Sequence, residues 1–147
     1  MRHLVTITIP QASPGLNAIM RMHFSAQARL KTDWWMLCQA ELHRVPAVPK
    51  AQEGERRRVT FTRYSCQPLD QDNFTGGAKM VLDNFRRPRQ QKNKRTGETV
   101  CWAGLQLIWD DDEPHLDAHY IQEKVAHKSE TRTVICIEIF EPTGEQP

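Results

Sequence analysis

The stretch Arg58–Phe85, RVTFTRYSCQPLDQDNFTGGAKMVLDNF, changes backbone periodicity part-way along. Arg58–Tyr64 alternates β-branched and aromatic residues with polar ones, as a strand with one buried face does. SCQPLDQDN is polar and broken by proline, which stops strand pairing. From about Phe74 the period becomes helical: Phe74, Ala78, Val81 and Phe85 fall at i, i+4, i+7 and i+11, a single buried face. Asp72 or Asn73 is placed to cap that helix. Gly76 and Gly77 weaken its first turn and suit the close approach of a backbone or a substrate.

On the N-terminal side, Leu4–Pro10 is β-branched, bounded by proline, and reads as an opening strand. QASPGLN makes a turn, and a long helix is expected from about Asn17 to Leu42. Its apolar stripe is Ala18, Met22, Ala26, Leu30, Trp34 and Cys38, broadened by Trp35, Met36 and Leu37. The stripe reads as core. VPAVPKAQEGE, Val45–Glu55, cannot sustain a helix and is expected to be a loop. On the C-terminal side the helix passes into RRPRQQKNKR, Arg86–Arg95, a basic run closed by Gly97. VCWAGLQLIW fits either a short helix or a strand. Asp117–Val125 and Arg132–Phe140 flank a turn near Lys128–Glu130 and read as a hairpin. The expectation is an α+β fold: a small mixed sheet with a long N-terminal helix and a central helix. It forms one domain over residues 1–147, with 141–147 as a flexible tail.

At 147 residues the chain can bury a sizeable core. A formal net charge of +2 does not by itself argue for nucleic-acid binding; the distribution of charge matters more. The four cysteines form no C-x-x-C pair and no secretory signal precedes them. Free thiols in a cytoplasmic protein are the expectation, with no membrane partner because no apolar run is long enough to span a bilayer. A four-cysteine zinc site is the minor alternative.

Chemistry concentrates in the acids. Asp70 and Asp72 stand in QPLDQDNF, and Asp110, Asp111 and Asp112 in LIWDDDEP. Converging carboxylates repel one another without a counterion, and a divalent metal is the usual remedy. In an extended segment Asp70 and Asp72 would face one side and share a metal. Lys79, further along the helix, could neutralise a phosphate or pair with Asp83 on a solvated face. His115 and His119 lie in an extended segment without helical ligand geometry, and His23 is expected on the polar side of the long helix. No G-x-S-x-G or P-loop is present. Acids for a metal beside cations for a polyanion describe a metal-dependent nuclease.

The chain also resembles the RusA family of Holliday-junction resolvases, small endonucleases often encoded by phages and prophages. The resemblance rests on the opening strand and S-P-G-L-N turn, Ser13–Asn17. It continues through Asp70, Asp72 and Asn73, a helix bearing a lysine and a basic stretch, and ends with G-x-x-x-x-W-D-D-D, Gly104–Asp112. In element order it covers most of the chain. It implies Asp70, Asp72, Asp111 and Asp112 as catalytic metal ligands, Lys79 as the helix lysine, and a homodimer needing Mg²⁺ or Mn²⁺ that cuts a four-way DNA junction in a bacterial host cell. Arg63, Arg86, Arg87, Arg89, Lys92, Lys94 and Arg95 are the expected DNA contacts. Two departures stand out. Ser65–Leu69 replaces the arginine-rich run before D-x-D, and the segment from Asn73 to Lys79 is longer and holds Gly76–Gly77. Rival readings are a nuclease of flaps or forks, a non-catalytic DNA-binding module, and a structural dimer.

Overall fold

A computed structural model describes residues 1–142. Two segments, Arg2–Ile9 (β1) and Arg132–Ile139 (β6), pair antiparallel, and Arg57–Ser65 (β2) joins the far side of β6 antiparallel. Leu116–Lys124 (β5) pairs parallel with β2, which gives the mixed order β1-β6-β2-β5. The apolar alternation predicted for these strands fills one face: Val5, Ile7, Ile9, Val59, Phe61, Ile135 and Ile137 are buried.

The expected hairpin of the two last strands is not formed, because β2 lies between them. Composition explains the order. Strands β2 and β6 carry the apolar rows that suit the sheet centre, whereas LDAHYIQEK is polar and leaves Ile121 exposed, as an edge strand allows. A parallel β2–β5 pair needs a long crossover. Gln71–Leu82 (α3), a short 3₁₀ turn and a second small sheet supply it. That sheet pairs Arg89–Lys92 (β3) with Thr99–Trp102 (β4), so the basic run becomes one arm of a hairpin and VCW a strand.

The long N-terminal helix is two helices, Leu16–Met20 (α1) and Phe24–Leu42 (α2), broken at Arg21–His23. His23 is not on a polar helix face. Its extended backbone precedes α2, and its Nδ1 accepts the Ser25 backbone N–H at 3.2 Å, an N-cap. The stripe divides accordingly: Trp34 and Cys38 are buried with Leu30 and Leu37 packed on the core, whereas Ala18 and Met22 are exposed. Phe74, Ala78, Val81 and Phe85 of the predicted helical face are fully buried.

Cys38 is the one buried thiol among four free cysteines; Cys66 and Cys136 are half-buried and Cys101 is exposed. Burial, with Glu41 adding to it, pushes the Cys38 thiol up to about 12, so it is no nucleophile near neutral pH. Of the expected tail, Glu141 accepts a hydrogen bond from Arg2 at 2.7 Å; residues 143–147 lie outside the described residues. Among the described residues, no helix is long and apolar enough to cross a membrane.

Candidate active site

Helix α3 begins earlier than the sequence predicts, and this changes what the D-x-D pair does. Asp70, not Asp72 or Asn73, is the cap: its Oδ1 accepts the Asn73 backbone N–H at 2.9 Å from an extended backbone. Asp72 therefore lies in the first helical turn, and the two carboxylates do not share one side of an extended segment. Asn73 reaches the other way. Its Oδ1 accepts the Asn17 backbone N–H at 2.8 Å, joining the S-P-G-L-N turn to α3. Gly77 permits the same contact, since a Cβ there would lie 1.8 Å from the Pro14 carbonyl oxygen. Close backbone approach is realised at Gly77, whereas Gly76 lies against the Leu16 side chain.

Asp70 thus has a structural duty that can be separated from any chemical one. Asp70→Ala is expected to cost about 1 kcal/mol of stability, whereas Asp70→Ser keeps a capping oxygen and should cost a few tenths. If the Ser variant retains both stability and turnover in the assay proposed below, Asp70 is a cap and nothing more.

One cleft of about 470 Å³ holds the remaining polar groups, with Arg56, Lys79, Asp83, Asp111, Asp117 and Tyr120 among its lining residues. Lys79 and Asp83 project from one face of α3 and its continuation, with Asp72 two turns earlier on that face. The alternative Lys79–Asp83 pair is not made. Asp83 instead faces Lys31 at 3.6 Å and Arg86 at 4.0 Å, leaving Lys79 exposed with no ion pair among the described residues. Tyr120 is held above the usual phenol range by burial, then by the charges of Asp111 and Asp83.

Arg86 organises the tandem aspartates. Its guanidinium lies 2.7 Å from Asp110, 3.8 Å from Asp111 and 4.0 Å from Asp83. Arg87 lies 3.9 Å from Asp110 and over the Trp109 ring, 4.4 Å from its centroid. Burial works against an ionised Asp110, but hydrogen bonds from Asp111 and the two guanidiniums outweigh it and hold Asp110 below the usual range. Partial desolvation and the adjoining Asp110 carboxylate push Asp111 the other way. Asp111, held above the usual carboxylate range, lines the cleft and keeps Arg86 at 3.8 Å. Asp112 does not line the cleft; its Oδ1 is 2.6 Å from His115 Nδ1.

The predicted DNA contacts separate in the same way. Arg63 donates to the Ser13 carbonyl and Ser65 Oγ, both at 2.8 Å, beneath the S-P-G-L-N turn. Arg86 and Arg87 face the aspartates. Arg89, Lys92, Lys94 and Arg95 belong to the β3–β4 hairpin, and among the described residues none of them has a carboxylate within ion-pair distance. Buried Arg57 escaped the sequence reading. It donates to the Leu107 carbonyl at 2.9 Å and pairs with Glu55, tethering the loop that carries Asp110–Asp112. Asp117 and Tyr120 were missed too, since single polar residues in an edge strand carry no motif.

The oxygen donors suit a hard divalent cation in kind, and Asp111 is the tandem aspartate that lines the cleft. In arrangement the four-carboxylate centre is not assembled. Among the described residues, no three His, Cys, Asp or Glu side chains are grouped to hold a metal ion, four cysteines included.

No family model matches the chain. Comparison with curated proteins and with solved structures returned no significant match.

Proposed function

We propose that the protein is an endonuclease acting on branched DNA, foremost on the four-way junction, with Mg²⁺ or Mn²⁺ as cofactor. The observation that carries this reading is the cleft lined by both unpaired Lys79 and Asp111, with the free cations of the β3–β4 hairpin on the same crossover. The RusA-like order of D-x-D-N, helix lysine, basic stretch and W-D-D-D supports it from the sequence.

Asp111 would hold the cation, with Asp83 the carboxylate that the turn after α3 brings to the same cleft. A divalent ion held there would lower the pKa of a water so that, its proton lost to solvent, it attacks phosphorus as hydroxide while the bond to the 3′-oxygen breaks. Lys79 would bind a non-bridging oxygen of the scissile phosphate and stabilise the charge that develops there. Arg86 and Arg87 would keep Asp110 ionised and the acidic loop in place. Lys92, Lys94 and Arg95 would hold backbone phosphates, contacts that position DNA without reading its sequence. A homodimer belongs to the same proposal, because two-fold symmetry matches paired incisions on a branched substrate. Exposed Met20, Phe24 and Met36 offer apolar surface for it.

A non-catalytic DNA-binding module is the second reading. The observation that favours it is Arg86, which already supplies a positive charge to three of the carboxylates. Cleavage of a labelled synthetic junction separates the two, with linear duplex and flap controls, in Mg²⁺, in Mn²⁺ and in EDTA. Paired nicks that need the metal are expected. Preferential cutting of flaps would change the substrate class, binding without cutting would favour the module, and absence of binding at low salt would overturn both.

A further inference from the structure

The β3–β4 hairpin does not lie flat against α2. Between them is a cavity of about 340 Å³ walled in part by Lys31, Trp35, Arg87, Arg89 and Trp102. Trp35 donates its indole N–H to the Ala103 carbonyl at 2.5 Å, pinning the end of the hairpin to α2. Trp102 keeps 38% of its surface exposed, in a strand with no buried residue. The register sets Arg89 opposite Trp102 and Gln91 opposite Val100, so the four side chains share one face. A second concavity of about 390 Å³ shares Val100 and Trp102 with the first and adds Lys92 and Lys94. Trp102 thus stands between two hollows, each edged by cations. The one acid in either lining, Asp83, is itself paired with Lys31 and Arg86.

Trp102 combines an accessible ring with a row of cations, and that combination selects what can cover it. A purely apolar partner would leave Arg89, Lys92 and Lys94 desolvated and unpaired. Duplex DNA offers phosphates to the cations but no free base face to the ring. A single strand offers both, a planar base for the aromatic and a phosphate on either side. Lys31 already rests its ammonium 4.6 Å from the Trp102 centroid, so the ring is a binding face for a cation until a base replaces it.

We propose that this groove binds single-stranded DNA, with an unpaired base stacked on Trp102 and the flanking phosphates on Arg89, Lys92 and Lys94. The inference rests on the branched-DNA reading and deepens it, naming unpaired nucleotides beside the branch as part of the substrate.

Fluorescence anisotropy with a labelled ten-nucleotide oligothymidylate tests it in EDTA on the full chain, with a duplex of equal length as control. Wild type should bind the single strand, and Trp102→Ala should weaken that binding about tenfold. Trp102→Phe, which keeps a ring, should remain within about threefold of wild type. Arg89→Gln should flatten the slope of log affinity against log salt by about 0.7. Unchanged affinity in Trp102→Ala, or no wild-type binding of the oligonucleotide at low salt, would overturn the inference. Circular dichroism confirms that each variant is folded. A protein that cuts junctions without Trp102-dependent oligothymidylate binding refutes the groove and leaves the nuclease. Trp102-dependent binding by a protein that cuts nothing refutes the nuclease and leaves the groove.

Discussion

Gly77→Ala is expected to lower stability by about 3 kcal/mol, because the added methyl meets backbone rather than a side chain that can turn away. Its Cβ would sit 1.8 Å from the Pro14 carbonyl oxygen and 2.9 Å from the Pro14 carbonyl carbon. Relief requires the whole Ser13–Asn17 turn to rise from α3. That motion breaks the Asn17–Asn73 bond and pulls buried Ile19 from its seat. Two other glycines isolate the cause. Gly76→Ala meets the Leu16 side chain at 2.6 Å, a flexible group, and should cost less. Gly54 has a φ of +86° with nothing near its missing Cβ, so Gly54→Ala tests backbone conformation alone, at about 1 kcal/mol. Urea denaturation gives all three values, and the melting temperature of Gly77→Ala should fall by roughly 6–12 °C. A Gly77→Ala protein as stable as wild type would mean that the turn does not rest on α3.

Those glycines also mark the boundary of what the sequence could tell. The buried face of α3 was legible because 3.6-residue periodicity depends on its own residues alone, and the same holds for the alternation in β1, β2 and β6. Partner choice was not legible. Asp117–Val125 and Arg132–Phe140 are adjacent in sequence and were read as a hairpin, yet each pairs with β2, whose position depends on a crossover of some fifty residues. The break at Arg21–His23 was hidden because a helical apolar period continues through it, and a histidine cap has no common signature. In the site, every acid predicted from sequence is surface-accessible or half-buried, but sequence treated the basic run as one unit. The fold divides it: Arg86 and Arg87 turn inward to Asp110, while Arg89 and the lysines go out along the hairpin. The repulsion that first suggested a metal is met in large part by Arg86, and no sequence pattern reveals that a cation twenty-four residues upstream returns to the same aspartate.

That division makes Asp111 the discriminating residue of the tandem. On the proposed function, Asp111→Asn should reduce junction cleavage about 10³-fold, roughly 4 kcal/mol of transition-state stabilisation, with little change in junction affinity. Asparagine keeps the size and a carbonyl oxygen but removes the charge that faces the cleft. Asp112→Asn should act differently. It removes the charge from the contact to His115 at 2.6 Å, outside the cleft, so its effect should appear as a modest loss of stability with cleavage within about tenfold of wild type. Lys79→Ala, in the same cleft, should cost about 10²-fold in turnover, and Lys79→Arg should recover part of it by keeping a cation near the phosphate. The pattern across the three positions carries more weight than any single loss. A nuclease centred on the Lys79 cleft requires Asp111 and Lys79 to matter far more than Asp112. Equal, large losses at Asp111 and Asp112 would mean that the acidic loop rearranges around its cation and that the contact with His115 breaks when substrate binds. Junction cleavage undiminished in Asp111→Asn would remove the carboxylate on which the proposed site depends.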